Sequence, residues 1–310
     1  MLADGAPSTP SLNVDGSLAS FTKPAPDGQA VTYTFTASRA GTFLYESGTD
    51  PGIQVQMGLF GGLIVKSTVA PATGDAFKDA HGAYGYDDGN GNGSPRSLYN
   101  KDKEFVQLLS DVDPDLHGAI DANQPYDIGS LTPRYWFING RSFPDDIAPN
   151  GAEWLPAQPY SAFVHIEPVD TNSASPNYNP LPALIRYINV SNNDHPFHPH
   201  ANDSHVIAVD GALLQSAGGG DMAFDQYSID VNPGGTADAT YDWSYIWKYS
   251  KANPIPVPMP DFRDTRYTGG ATWFGGSPAL GETDSLPVGV TSYNKCGEYY
   301  HVAHSHDVHE

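Results

Sequence analysis

The sequence predicts an all-β protein built from Greek-key β-sandwich domains. Glycine (32 residues) and proline (27 residues) provide about a fifth of the 310 residues, and both disfavour helices. Apolar residues alternate with polar ones in many short segments, which is the period-two pattern of strands with one buried face. Turn-forming residues separate these segments and no convincing amphipathic helix is found, so we expect strands throughout.

The predicted strands follow one another from residue 31 to the end of the chain. Val31–Ala37 alternates apolar residues with threonine, and Gly41–Tyr45 and Met57–Val65 come next. The further predicted strands are Glu104–Leu109, Tyr135–Ile138, Ser161–Ile166, Ala183–Val190, Ser204–Val209, Gln226–Val231, Ala237–Trp243 and Tyr299–His306.

Changes in composition divide the chain into two domains joined by a loop. We expect residues 1–75 to form a partial first domain and residues 104–310 to form a second one. Residues 76–103 are rich in Gly, Asn and Asp and predict a linker or an exposed loop. Residues 244–296 are rich in proline and glycine and predict a long excursion over the surface.

Charge and cysteine content exclude several classes of protein. The formal net charge is −21, and such a surface repels phosphate backbones, so we expect no nucleic acid partner. No apolar stretch approaches the length of a membrane span. Cys296 is the single cysteine, so an intrachain disulfide is impossible. Met1–Gly5 lacks the features of an export leader, so the protein is either cytosolic or has a leader outside this sequence.

Eight of the 11 histidines fall in the windows 195–205 and 301–309, which indicates a shared metal or proton-transfer site. His198 and His200 are two residues apart and therefore share one face of a strand, as do His304 and His306. If the two strands are neighbours, these four imidazoles can converge. Nitrogen-rich sites suit copper, zinc or iron, and the affinity order favours copper. The alternative is two sets of exposed histidines on neighbouring loops.

Several segments resemble the multicopper oxidase family. The clearest is His195-Pro-Phe-His-Pro-His200, which resembles the family motif HPFHxH. The matches follow the family's order from about residue 30 to the end. The other matching segments are Gly41–Gly48, Gln54–Val65, Tyr135–Gly140, Val206–Gly211 and Gly297–His306.

The resemblance implies cupredoxin-like domains, copper as the cofactor, and an extracellular or periplasmic location. In the family, a type 1 copper takes electrons from a small-molecule or metal reductant and passes them to a trinuclear copper cluster that reduces dioxygen. By position, His195 resembles a type 1 ligand. The residues that resemble ligands of the trinuclear cluster are His198, His200, His304 and His306.

The chain departs from the family at two places that matter for the chemistry. Ser305 stands where the family has the cysteine between two histidines, and a hydroxyl cannot replace a thiolate in a blue copper centre. Glu46-Ser47-Gly48 stands where the first domain has His-Ser-His. The chain also resembles a family member shortened at both ends. Cys296 is either a displaced ligand or, as we favour, an inert thiol.

Three functions are compatible with these observations. The first is a copper-binding, multicopper-oxidase-like oxidoreductase with an altered or incomplete centre, which a second copy or a partner subunit could complete. The second is a non-catalytic extracellular cupredoxin scaffold or filament protein. The third is a zinc hydrolase, for which three histidines and an open position would suffice, although no general base is evident.

Overall fold

The computed structural model describes residues 11–20, 25, 28–200, 202–243, 249–254, 301 and 303–307. Cys296 and most of the predicted excursion at 244–296 lie outside this range. Within the described residues, no helix is long and apolar enough to cross a membrane.

The described residues are mostly strands, joined by turns and a few short helices. The helices are α1 (Pro51–Gln54), α2 (Ala76–His81) and α3 (Pro114–Asp121). The first eight strands are β1 (Ser11–Leu12), β2 (Leu18–Ser20), β3 (Gly41–Glu46), β4 (Phe60–Val65), β5 (Gly82–Tyr84), β6 (Leu98–Asn100), β7 (Glu104–Val112) and β8 (Tyr135–Ile138). The remaining ones are β9 (Ala183–Asn189), β10 (His195–Pro199), β11 (Ser204–Val209), β12 (Ala212–Leu213), β13 (Phe224–Gln226), β14 (Ile229–Val231), β15 (Thr236–Tyr241) and β16 (Ala303–Ser305).

The largest sheet within the described part of the chain has seven strands, in the order β12-β11-β15-β9-β7-β8, with β13 paired to β11. Strand β7 runs parallel to β9, and the other pairs are antiparallel. Every residue of β9 is buried, because strands flank it on both edges and other elements cover both faces. Such a strand can be apolar throughout, as Ala183–Asn189 largely is.

A second sheet, β14-β10-β16, packs on one face of the large sheet. Phe197, Ile229 and Val231 from this second sheet share a buried cluster with Ile185 and Tyr187 of β9. This sheet-on-sheet packing confirms the predicted all-β sandwich.

The hairpin β3–β4 packs on the opposite face of the large sheet, where Leu44 contacts Ile188 and Val190. A buried polar network joins the two. The guanidinium of Arg186 donates to Asp238 at 2.7 Å and to Glu104 at 2.7 Å, and Thr42 of the hairpin donates to Asp238 at 2.9 Å. Tyr86 also donates to Asp238, at 2.7 Å. The network therefore fixes the hairpin to the centre of the sheet.

Two predicted strands are wrong. Val31–Ala37 and Ser161–Ile166 form no strand in the structure, although both have strand-like composition. A strand needs a neighbour for its backbone hydrogen bonds, and residues 32–38 are exposed. In the second segment, the carbonyl of Ala162 accepts from the side-chain amide of Gln107 and not from a backbone N–H of a neighbouring strand.

The predicted strand Gln226–Val231 is interrupted, and the interruption lies next to the histidines. Strand β13 pairs with β11 in the large sheet, whereas β14 pairs with β10 in the second sheet. Tyr227 and Ser228 are therefore the point at which the chain crosses from one sheet to the other. The backbone must bend there, so one continuous strand cannot form.

Candidate metal centre

The segment His195–His200 consists of strand β10 and the residue that follows it. Because side chains alternate along a strand, its two faces carry different residues. Pro196 and Pro199 favour an extended backbone. Phe197 is buried in the core, with its ring centroid 5.3 Å from that of Tyr187. His198 and His200 lie on the opposite face.

Strand β16 brings the second histidine window beside the first. It pairs antiparallel with β10, and His198 lies directly opposite His304. The backbone N–H of His306 donates to the carbonyl of Pro196 at 2.8 Å, which continues the pairing by one step. Because directly opposed residues share a face, His304 lies on the same side as His198.

Four imidazoles meet on this face, and we call them the histidine cluster: His198, His200, His304 and His306. The ring centroid of His198 lies 4.8 Å from that of His200, 5.8 Å from that of His304 and 5.4 Å from that of His306. The ring of His304 lies 5.1 Å from that of His200 and 5.5 Å from that of His306. The predicted convergence of these histidines is therefore present in the structure.

Hydrogen bonds assign protons within the histidine cluster. Nδ1 of His198 lies 2.7 Å from the carbonyl of Tyr227, and Nδ1 of His304 lies 2.6 Å from the carbonyl of Ser305. Carbonyl oxygens only accept, so both Nδ1 atoms carry protons. In the neutral rings, Nε2 of His198 and Nε2 of His304 then carry lone pairs. Nε2 of His200 lies 3.0 Å from Nε2 of His304, so His200 is the donor of this pair.

His195 belongs to the other face of β10. Its Nε2 lies 2.7 Å from Oγ of Ser191, and the residue is 3% exposed. Ser305 lies opposite Phe197 and so shares this face. The serine at the family's cysteine position is thus on the same side of the sheet as His195, while the histidine cluster occupies the other side.

Four other described histidines have partners outside the histidine cluster. Nδ1 of His81 lies 2.6 Å from Asp102, and Nδ1 of His205 lies 2.6 Å from Asp225. Nε2 of His117 lies 3.0 Å from the carbonyl of Gln56. His301 stacks on Trp243.

Tyr227 borders the histidine cluster, and no sequence pattern predicts this position. Its ring stacks on His198 with centroids 3.8 Å apart and planes 23° apart, and it lies 6.0 Å from the ring of His306. The residue sits at the crossing point between β13 and β14. Only the pairing of these strands with different sheets, which is a long-range property, places it there.

The donor set of the histidine cluster fits a copper ion. Metal–nitrogen distances are about 2.0 Å, so two nitrogens 3.0 Å apart can reach one ion. Imidazole nitrogen is also a preferred donor for copper. Within the described residues, no three His, Cys, Asp or Glu side chains already form a closed metal site.

One family model matches part of the chain, and several solved structures are similar to it. Residues 2–69 match the family model described as multicopper oxidase. No curated protein matches the chain.

Similar solved structures include the blue copper oxidase from Nitrosomonas europaea, at 18% identity and a TM-score of 0.43, over 72% of this chain and 54% of that one. The multicopper oxidase mgLAC has 18% identity and a TM-score of 0.47, over 73% of this chain and 53% of that one. The laccase from Botrytis aclada has 17% identity and a TM-score of 0.42, over 78% of this chain and 37% of that one. The chain thus spans about half the length, or less, of these structures.

The match over residues 2–69 thus shows that this part of the chain resembles the multicopper oxidase family, which implies copper as the cofactor.

Proposed function

We propose that this chain binds copper through the histidine cluster and acts as a multicopper-oxidase-like oxidoreductase with an altered copper centre. The observation that carries the proposal is the convergence of four imidazoles on paired strands. His198 and His304 come from segments about a hundred residues apart, yet lie directly opposite each other. Four imidazoles that face one another at a partly buried edge are typical of a metal site rather than of histidines with a purely structural role.

The arrangement of protons favours metal binding by the histidine cluster. In the neutral rings, the Nε2 lone pair of His198 is available to a metal, whereas the Nε2 lone pair of His304 accepts from His200. The proton that His200 shares with His304 must move to Nδ1 of His200 before an ion can be held by both Nε2 atoms. Copper, when bound, would supply one-electron chemistry, and the chain's residues would hold and orient it.

The altered part of the proposal concerns the face that carries His195. In the resembled family, the type 1 copper needs a thiolate, whereas the aligned position here is Ser305. Its Oγ accepts from the backbone N–H of Asp307 at 3.3 Å. We propose that His195 is at most a weak ligand on this face and that copper binds chiefly at the histidine cluster.

The remaining parts of the proposal follow from the resemblance. The electron donor would be a small molecule or a metal ion, and a second copy or a partner subunit would complete the site. The location would be extracellular or periplasmic. The division into domains at 1–75 and 104–310, joined by 76–103, is part of the same proposal.

Metal analysis of protein produced in copper-replete medium, combined with electron paramagnetic resonance, tests the proposal. We expect at least one copper per chain with a normal, non-blue spectrum. His198→Ala should lose this copper, because it removes an imidazole from the centre of the cluster. His205→Ala is the matched control, since that histidine lies on β11 of the large sheet and pairs with Asp225 outside the cluster.

Copper content well below one per chain would contradict the proposal and favour the non-catalytic scaffold. Unchanged copper in His198→Ala would show that the ligands lie elsewhere.

Ser305→Cys tests the altered centre separately. A thiolate on the same face as His195 should produce strong blue absorption when copper is added, which the unchanged chain should lack. Blue absorption in the unchanged chain would contradict the proposal that the centre lacks a thiolate.

A further inference from the structure

Tyr227 lies beside the histidine cluster, and its role is inferred here on the basis of the proposed copper site. We propose that Tyr227 is a positioning residue that orients His198 and fixes which of its nitrogens is available to a metal. Two contacts carry the inference: the backbone carbonyl of Tyr227 accepts from Nδ1 of His198 at 2.7 Å, and its ring stacks on the same imidazole.

The carbonyl contact sets the tautomer of His198. A free neutral imidazole can carry its proton on either nitrogen. The carbonyl holds that proton on Nδ1, which leaves the lone pair on Nε2. Metal-binding histidines commonly donate their other N–H to a carbonyl in this way, and loss of the partner weakens metal binding by about 10- to 100-fold.

The ring contact sets the orientation of His198. The centroids are 3.8 Å apart and the planes 23° apart, so the tyrosine covers one face of the imidazole. Rotation of His198 about its side-chain bonds would break both the stacking and the hydrogen bond. One residue therefore restrains both torsion angles of this histidine.

The position of Tyr227 in the fold makes these restraints stiff. Strand β13 ties the residue before it to β11, and β14 ties the residues after it to β10, the strand that carries His198. Phe197 pairs with Ile229, two residues beyond Tyr227. The carbonyl is thus held at a fixed distance from the imidazole by the sheet itself.

The side chain can be changed without damage to the core, because Tyr227 is 59% exposed. Tyr227 is therefore not a core residue. Its exposed ring contacts His198 and His306, which indicates a role at the histidine cluster.

The test compares Tyr227→Phe, Tyr227→Ala and Tyr227→Gly with the unchanged chain. Nitrogen NMR of metal-free protein reports which nitrogen of His198 is protonated, and competition with a chelator reports copper affinity. We expect Nδ1 to be protonated in the unchanged chain and in Tyr227→Phe, with equal copper affinity. Tyr227→Ala and Tyr227→Gly keep the backbone carbonyl and should keep Nδ1 protonated, but without the stacked ring they should bind copper about 10-fold more weakly.

Phe224→Ala is the matched control, because Phe224 is an exposed aromatic on β13 of the same segment, at 45% exposure. It should leave both readouts unchanged. The inference is overturned if Nδ1 of His198 carries no proton in the unchanged chain, if Tyr227→Ala and Tyr227→Gly retain the copper affinity of the unchanged chain, or if Phe224→Ala weakens copper binding as they do. If the unchanged chain holds no copper, the proposed function fails, whereas the protonation of Nδ1 of His198 in metal-free protein still tests the carbonyl contact.

Discussion

The two faces of strand β10 differ in how their polar groups are satisfied. On one face, Phe197 packs in the core and His195 bonds to buried Ser191. On the other, the imidazoles of the histidine cluster contact one another and Tyr227 at a partly exposed edge. The difference shows that one six-residue motif supplies a structural anchor on one side and a candidate metal centre on the other.

The largest expected effect comes from the core face. Phe197→Ala removes a side chain that is 2% exposed and packs on Tyr187, so we expect the free energy of unfolding to fall by about 3–5 kcal/mol. Urea unfolding measures this loss. Phe224→Ala, which removes an exposed ring, should change stability by no more than about 0.5 kcal/mol. Equal losses in the two variants would contradict the assignment of Phe197 to the core.

Two histidine substitutions separate the faces directly. His195→Ala removes a buried imidazole together with its hydrogen bond to Ser191, so metal-free protein should lose about 1–3 kcal/mol of stability while copper binding by the cluster persists. His304→Ala should do the opposite: it should cost about 0.5 kcal/mol in metal-free protein and abolish tight copper binding. Urea unfolding and copper titration of both variants check this pair. Parallel losses in both assays for either variant would mean that the faces are not independent.

A smaller effect concerns the charges beneath the hairpin β3–β4. Burial alone would raise the pKa of Glu104, but Arg186 and Lys66 lower it below its ordinary value of 4.5. A carboxylate with a lowered pKa in the folded state stabilises the protein above its unfolded pKa, and this contribution disappears as the pH falls through the folded pKa. We therefore expect acid to destabilise the unchanged chain more than Glu104→Gln, measured as urea midpoints at about pH 7 and about pH 3.

The same substitution should leave copper binding at neutral pH unchanged, since Glu104 lies on β7 and not on the strands of the histidine cluster. An equal acid response in Glu104→Gln would show that other carboxylates dominate acid unfolding.

The period-two alternation predicted the faces of β10 correctly because side-chain direction along a strand is a local property. It placed His198 and His200 together on one face. From the sequence, the convergence with His304 could be predicted only if the two strands were neighbours, because the pairing of β10 with β16 joins distant segments. The register that puts His198 opposite His304 was not predictable from either segment alone.

The strands that were predicted incorrectly also depend on long-range pairing that the sequence does not reveal. Val31–Ala37 has the composition of a strand, but composition does not supply a neighbour. The continuous strand predicted over Gln226–Val231 is divided because its two halves pair with different sheets. Tyr227 was missed for this reason: its contact with His198 exists only where the chain crosses between the sheets.

The central claim, that the histidine cluster binds copper, is tested most directly by X-ray absorption spectroscopy of the copper-loaded protein. We expect a first shell of nitrogen with scattering from at least two imidazoles, and loss of imidazole scattering in His198→Ala. A shell dominated by oxygen or sulfur, or one unchanged in His198→Ala, would contradict it.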